Sequence, residues 1–181
     1  MRAHRVFRYP APVTLQPANP SQGEEPVFIP VPLGLAVPST TYARAFLGLI
    51  RAGEQLDRLL DAELRATHGI GLRGYEVLLH LAVFTPDRSA PMTTLTRQTP
   101  LSQSRVSRLV AELESRGLVR RSGDERDSRA VVVSLTNEGL WVLREAQQTH
   151  HRGLQQRLFS KVNYDELVQL GELTNRILAD G

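Results

Sequence analysis

Cysteine is absent from this chain. Disulfide frameworks, thiolate zinc sites, iron–sulfur clusters, cysteine nucleophiles and thiol redox sensing are therefore excluded, because each needs a sulfur ligand or a thiolate. Long apolar runs are missing too. A bilayer-spanning helix takes about 20 consecutive apolar residues, and the best stretches, Leu78 to Phe84 and Val27 to Val37, are broken by His80 and by Pro30 and Pro32. No membrane partner is expected. No apolar segment follows the positive Met1 to Arg8 stretch to make a secretory signal, so the expected compartment is the cytoplasm. Lysine is nearly missing, Lys161 being the only one among 22 basic residues. Arginine's planar fork suits bidentate contacts to phosphate and guanine, although a GC-rich genome leaves the same bias.

The signatures of catalysis are equally thin. Neither a G-x-S-x-G elbow nor a Walker A sequence occurs, and the paired acids Glu24–Glu25 and Asp165–Glu166 fall in a proline-rich segment and at a helix start, where the macrodipole favours negative charge. The chain is not expected to be an enzyme. His150 and His151 are adjacent, so on a helix their side chains diverge by about 100°, an awkward arrangement for one ion. His68 and His80 stand alone. No metal or cofactor is expected, with a metal-responsive regulator kept as an alternative.

What the 181 residues do contain is 41% hydrophobic content, enough for one globular domain with an appendage. Residues 1–38 hold eight of the eleven prolines and read as an extended arm, since proline removes the helical donor and restrains its predecessor. A helix starts after an N-cap at Ser39 and runs towards His68, with Tyr42, Phe46, Leu49, Gly53, Leu56, Leu60 and Leu64 spaced by threes and fours. A second, apolar on most sides and so expected at the centre, begins near Leu72 and reaches Phe84. Thr85 to Pro91 reads as a loop, and Met92 to Thr99 as a short helix stopped by Pro100.

From an N-cap at Ser102, Val106, Leu109, Val110 and Leu113 mark one face of the next helix, and Ser104, Ser107, Arg108, Ala111 and Ser115 the opposite one. Small polar residues around an arginine make a slim face that fits a DNA major groove, which admits a helix whose side chains bond base edges. An ordinary solvated helix face has the same composition. The context favours the groove: Gly117 stops the helix, Leu118 to Arg121 and Ala130 to Leu135 read as strands, and SGDERDSR joins them. From Leu95 to Ala130 eight arginines face five acids, an excess equal to the +3 of the whole chain. Another helix opens at Thr136–Gly139 and runs towards Phe159. Asn163 and Glu166 then have the spacing of a capping box before a last stripe of Leu167, Leu170, Leu173, Thr174, Ile177 and Leu178. The first helix and the last two carry more apolar surface than so small a central domain can cover, so they are expected to bury it across a twofold axis.

The run LSQSRVSRLVAELESRGLVRRSGDERDSRAVVVSLTNEG resembles the signature of the multiple-antibiotic-resistance-regulator (MarR) family: a recognition helix, a helix-ending RGLV, a wing with Asp-x-Arg, and a strand closing on Leu-Thr-x-x-Gly. The similarity is specific over residues 70–140 and thins to nothing in the arm. It implies a mainly α fold: a winged helix-turn-helix with a two-stranded wing over 70–136, flanked by dimerisation helices at 39–68 and 137–181. It further implies a homodimeric repressor on a pseudo-palindromic double-stranded DNA operator, released by a small aromatic or phenolic effector. A ligand-independent architectural DNA binder is the other alternative. The DNA-contacting set carried over is Ser102, Gln103, Ser104, Arg105, Ser107 and Arg108 on the helix, with Arg126, Asp127 and Arg129 on the wing. Tyr42, Arg51 and Tyr75 are the candidates for lining an effector pocket. Two positions depart from the family pattern: Thr96 where alanine is usual in the short helix, and Pro100 where glycine is common in the turn.

Overall fold

The computed structural model describes residues 26–123 and 130–179. The chain divides into two compact units, one up to Gly53 and the other from Glu54 onward.

In the first unit the described part of the proline-rich segment, residues 26–38, is a hairpin of extended backbone folded back on itself; the rest of the expected arm lies outside the described residues. Strand β1 (Phe28–Val31) pairs antiparallel with β2 (Leu35–Pro38), in a register running from Phe28 opposite Pro38 to Val31 opposite Leu35. The turn between them, Pro32–Gly34, places Leu33 at φ 74° and Gly34 at φ 70°. Glycine adopts that region freely, whereas leucine is strained there. The Ser39 amide donates to the Val27 carbonyl at 2.9 Å, tying the hairpin to helix α1 (Thr40–His68), whose first half completes the unit. Ser39 stands where the cap is expected, but its hydroxyl is buried without a hydrogen-bond partner among the described residues.

The second unit continues α1 into α2 (Leu72–Val83), β3 (Ser89–Pro91), α3 (Met92–Arg97), α4 (Gln103–Ser115), β4 (Val119–Gly123), β5 (Val131–Leu135), α5 (Asn137–Leu154) and α6 (Tyr164–Ala179), with a π-helical turn at Gln155–Phe159. The sheet has the order β3-β5-β4 and is antiparallel throughout. The wing strands β4 and β5 were expected; β3 corrects the reading of Thr85–Pro91 as a loop. Ser-Ala-Pro has no alternation to announce a strand, and only its pairing with Val132–Ser134 makes it one.

Leu64, Leu78, Leu81, Val106, Val110, Val133 and Ala146 fill the core, joining α1, α2, α4, β5 and α5. Helix α2 is central, as its composition required. It has no side-chain cap of its own at Gly71. The Asp61 carboxylate, on α1, accepts the Leu72 amide at 2.8 Å and the Arg65 guanidinium at 2.8 Å. A Cβ at Gly71 would fall 2.4 Å from that carboxylate, so a side chain there would push the Asp61 and Arg65 side-chain ends aside.

Helix α4 ends in a Schellman motif: the Leu118 amide donates to the Leu113 carbonyl (3.0 Å) and the Gly117 amide to that of Glu114 (2.8 Å), with Gly117 at φ 72°. The Asn163–Glu166 capping box is formed as expected, the Asn163 amide on Glu166 Oε2 (2.8 Å) and the Glu166 amide on Asn163 Oδ1 (3.0 Å). Thr136 caps α5: its hydroxyl accepts the Gly139 amide at 3.0 Å and donates to the Gly117 carbonyl at 2.7 Å, joining two helix ends. Thr136→Ala is expected to cost about 1 kcal/mol, within the usual range for lost caps, measured as a shift of the urea midpoint. Thr136→Ser should recover most of the loss; equal destabilisation by both would show that packing of the methyl group, not the cap, sets the stability.

Candidate nucleic-acid interface

Helix α4 is built by a simple division of its surface. Val106, Val110 and Leu113 are buried, whereas Ser102, Gln103, Ser104, Arg105, Ser107 and Arg108 are all exposed. All six helix-borne residues expected to contact DNA thus lie at the solvent-facing N-terminal part of one helix. Ser102 occupies the N-cap position with extended backbone, but its hydroxyl makes no cap bond and lies 3.2 Å from the Ser104 hydroxyl. Ala111, expected on the outer face, is half-buried. The three wing residues of the same set, Arg126, Asp127 and Arg129, lie outside the described residues.

The short helix before the turn absorbs its departure from the family pattern locally. Thr96 is half-buried, and its hydroxyl donates to the Met92 carbonyl one turn back at 3.0 Å, so the extra polar atom is satisfied. Pro100 is exposed in the turn, and the hydroxyl of the preceding Thr99 is buried without a hydrogen-bond partner among the described residues.

The arginine excess resolves into two kinds of residue. Arg121 is internal scaffolding: its side chain bonds Glu114 Oε2 at 2.6 Å through Nε, and its amide donates to Glu114 Oε1 at 2.8 Å, clamping β4 to the end of α4. Those bonds hold the Glu114 carboxyl below its ordinary pKa. Arg116 likewise caps the end of α1, donating to the carbonyls of Gly69 and of His68, the latter at 2.9 Å. By contrast Arg105, Arg108 and Arg120 are exposed, and no ion pair holds them among the described residues. Arg120 was not among the candidates read from the sequence. The alternation of β4 carried the signal: in the Arg120–Arg121 doublet one side chain turns to Glu114, and its neighbour points to the other face. There Arg120 borders a cavity of 450 Å³ with Ser122, Ser134, Thr136 and Asn137.

The three effector candidates are divided between the two units. Tyr42 and Arg51 are exposed on the first half of α1, Arg51 lining a groove of the first unit. Tyr75 is a core residue of the second unit, 2% exposed, its ring stacked on His150 with centroids 4.6 Å apart. His68 Nε2 lies 2.8 Å from the Thr149 hydroxyl. Among the described residues no group of three or more His, Asp or Glu is placed to hold a metal ion, and no helix is long and apolar enough to cross a membrane.

His150 gives the core a pH dependence. Its Nδ1 is buried without a partner among the described residues, and burial first, then the neighbouring His151 charge, hold its pKa below the ordinary histidine value. Between the folded value and the unfolded one near 6.5, the unfolded chain binds more protons, so stability falls as pH drops through that window and is full above it. Urea midpoints should decline from pH 8 to pH 5.5, and His150→Phe, which keeps the stack on Tyr75 without a titrating nitrogen, should flatten the decline. An unchanged slope in that variant would place the titration elsewhere.

Comparison with known proteins agrees with this architecture. The MarR family profile matches residues 68–130. A MarR family transcriptional regulator from Streptomyces coelicolor, solved in complex with DNA, superposes with a TM-score of 0.75 at 32% identity, covering 80% of this chain and 89% of that one. An HTH-type transcriptional regulator of Bacillus subtilis, YwaE, is 25% identical over 129 residues, 71% of this chain and 73% of that protein. The transcriptional repressor MprA of Escherichia coli is 33% identical over 78 residues, 43% of this chain and 44% of its own length. With the Streptomyces regulator 32% identical and matched over 89% of its length, and with the helix-turn-helix and wing strands in place, the chain belongs to the MarR family of transcriptional regulators.

Proposed function

We propose that the chain binds double-stranded DNA sequence-specifically as a homodimer and represses transcription from a pseudo-palindromic operator. The observation that carries the reading is the exposed face of α4, where Ser104, Arg105, Ser107 and Arg108 stand free of ion pairs among the described residues, opposite the buried Val106, Val110 and Leu113. Arginine bonds guanine O6 and N7 bidentately, and small neighbours let the helix approach the groove floor. Arg120 adds a phosphate contact, and Arg126, Asp127 and Arg129 form the wing's minor-groove element. The dimer is supported by bare apolar residues on α1 and α6, among them Phe46, Leu173 and Ile177. The repressor assignment draws on MprA, and the DNA on the complexed Streptomyces relative. The site of action is the cytoplasm.

The same reading includes release by a small aromatic or phenolic effector, with Tyr42, Arg51 and Tyr75 as candidate contacts. A ligand reaching Tyr75 has to displace the His150 ring stacked on it. To release DNA the ligand must prefer the DNA-incompetent arrangement, and by linkage DNA weakens its binding by the same factor.

Selection of operator fragments from a random duplex pool, followed by titration at fixed salt, tests the proposal. Recovered sites should be pseudo-palindromic with half-site centres about 10 base pairs apart, and bound at least a thousandfold tighter, roughly, than random duplex. Affinity indifferent to sequence would leave an architectural binder.

A further inference from the structure

Helix α4 is held by two kinds of contact. Along its length Val106, Val110 and Leu113 are buried, and such apolar contacts fix its distance from the core without fixing a direction. The contacts of its last turn are directional. Glu114 takes the Arg121 amide and guanidinium of β4, and Glu112 attracts the Arg65 guanidinium of α1. Arg116 donates through Nη1 to the Gly69 carbonyl and through Nη2 to the His68 carbonyl at 2.9 Å. These bonds span 47 and 48 positions of the chain, and they are made by an exposed side chain to carbonyls at a helix end, where intrahelical donors run out.

The end of α1 is itself anchored on two sides. Asp61 accepts the Leu72 amide of α2 at 2.8 Å, and His68 Nε2 lies 2.8 Å from the Thr149 hydroxyl of α5. Gly69 closes the helix at φ 67°, and a Cβ there would come within 3.0 Å of Arg116 Nη2. The guanidinium thus lies against the Gly69 backbone. A rigid planar fork seated on two neighbouring carbonyls fixes an angle as well as a distance.

That angle matters because α4 is a lever. It runs 13 residues, so its N-terminal turn stands about 18 Å from the Arg116 end, and a tilt of about 5° moves that turn by about 1.6 Å. Recognition geometry tolerates about 0.5 Å. Phosphate contacts carry no sequence information and absorb such a shift by side-chain rotation.

We propose that Arg116 is a positioning residue for base recognition: its fork on the Gly69 and His68 carbonyls sets the tilt of α4 against the end of α1, and so governs specificity without touching DNA. The proposal rests on the base-reading role given to α4 above and deepens it by naming what aims the helix.

Three full-length variants test this: Arg116→Ala, Arg116→Lys and Gly69→Ala. Affinities for the selected operator and for random duplex are measured by fluorescence anisotropy at matched salt, with urea midpoints alongside. Arg116→Ala should lose operator affinity roughly tenfold, with random-duplex affinity and salt slope unchanged. Gly69→Ala keeps the arginine and its charge but sets a methyl group against the fork, and should lose operator affinity in the same way. Arg116→Lys, with a single ammonium on a flexible stem, should fall between the alanine variant and the parent. Full operator affinity in Arg116→Ala, whatever its urea midpoint, overturns the inference and leaves the fork a stabilising strut. If Arg116→Ala does not fold, Arg116→Lys carries the test, and parental operator affinity in it overturns the inference. Parallel loss on operator and random duplex, with a salt slope lower by about one counter-ion and Gly69→Ala unaffected, overturns it in favour of a direct phosphate contact. A parent that binds every sequence alike overturns the base-reading role itself, and this inference with it.

Discussion

Gly139→Ala is expected to destabilise the protein by about 3 kcal/mol or more, the upper end of what overpacking costs. A Cβ at Gly139 falls 2.0 Å from the Leu118 carbonyl oxygen, 2.9 Å from its carbon and 2.8 Å from Leu135 Cδ1. Backbone cannot swing aside as a side-chain end can. The Leu118 carbonyl also accepts the Thr136 amide at 3.1 Å and its hydroxyl at 3.0 Å, so moving it disturbs the start of α5 and the base of the wing together. Gly117→Ala is the natural control: its φ is 72°, but a Cβ there meets nothing within 4 Å, leaving only the left-handed backbone penalty of about 1–2 kcal/mol. Chemical denaturation of both variants separates the steric glycine from the conformational one. A Gly139→Ala protein melting within 0.5 kcal/mol, roughly, of the parent would mean that α5 can slide off Leu118 freely.

Arg108→Ala is expected to lower affinity for the selected operator by about 1–3 kcal/mol, tenfold to over a hundredfold, while barely changing affinity for random duplex. Arg108 is exposed and outside every ion pair of the described residues, so its removal leaves the fold intact and the loss appears in recognition. Arg120→Ala, on the strand, should instead weaken specific and non-specific binding alike and flatten the salt dependence by about one counter-ion. Arg129→Ala should weaken binding and reduce any preference for A·T-rich flanks, where a narrow minor groove concentrates negative potential. If Arg108→Ala and Arg120→Ala lost affinity in parallel on every sequence, α4 would be a phosphate-binding element and not the reader of bases.

Residues that act through their immediate neighbours were legible from the start. Val106, Val110 and Leu113 announced which side of α4 is buried; the Asn163–Glu166 spacing announced a capping box, now seen in both its bonds; Gly117 announced the helix stop and holds the backbone that only glycine takes without strain. Each rests on the period of a helix or on a bond spanning three to five residues, and such information is contiguous in the chain. The glycine of Leu-Thr-x-x-Gly was visible as a motif without its reason, which lies in a carbonyl twenty-one positions upstream.

What the sequence by itself determined, then, is the order of the helices and of the two wing strands, the polar face of α4 and the absence of sulfur chemistry, because composition and periodicity suffice for these. Tertiary structure decided which of two adjacent arginines pairs with Glu114. Arg121 is taken by Glu114 and Arg120 is left to solvent, a choice made by the packing of β4 against α4. It likewise made a strand of Ser89–Pro91, which has no strand pattern and pairs only because β5 offers an open edge. It also placed Tyr75 beneath His150 and not in an open pocket. A side chain's partners are set by distance in space, and pairs such as Tyr75 and His150 meet only once the helices between them have folded.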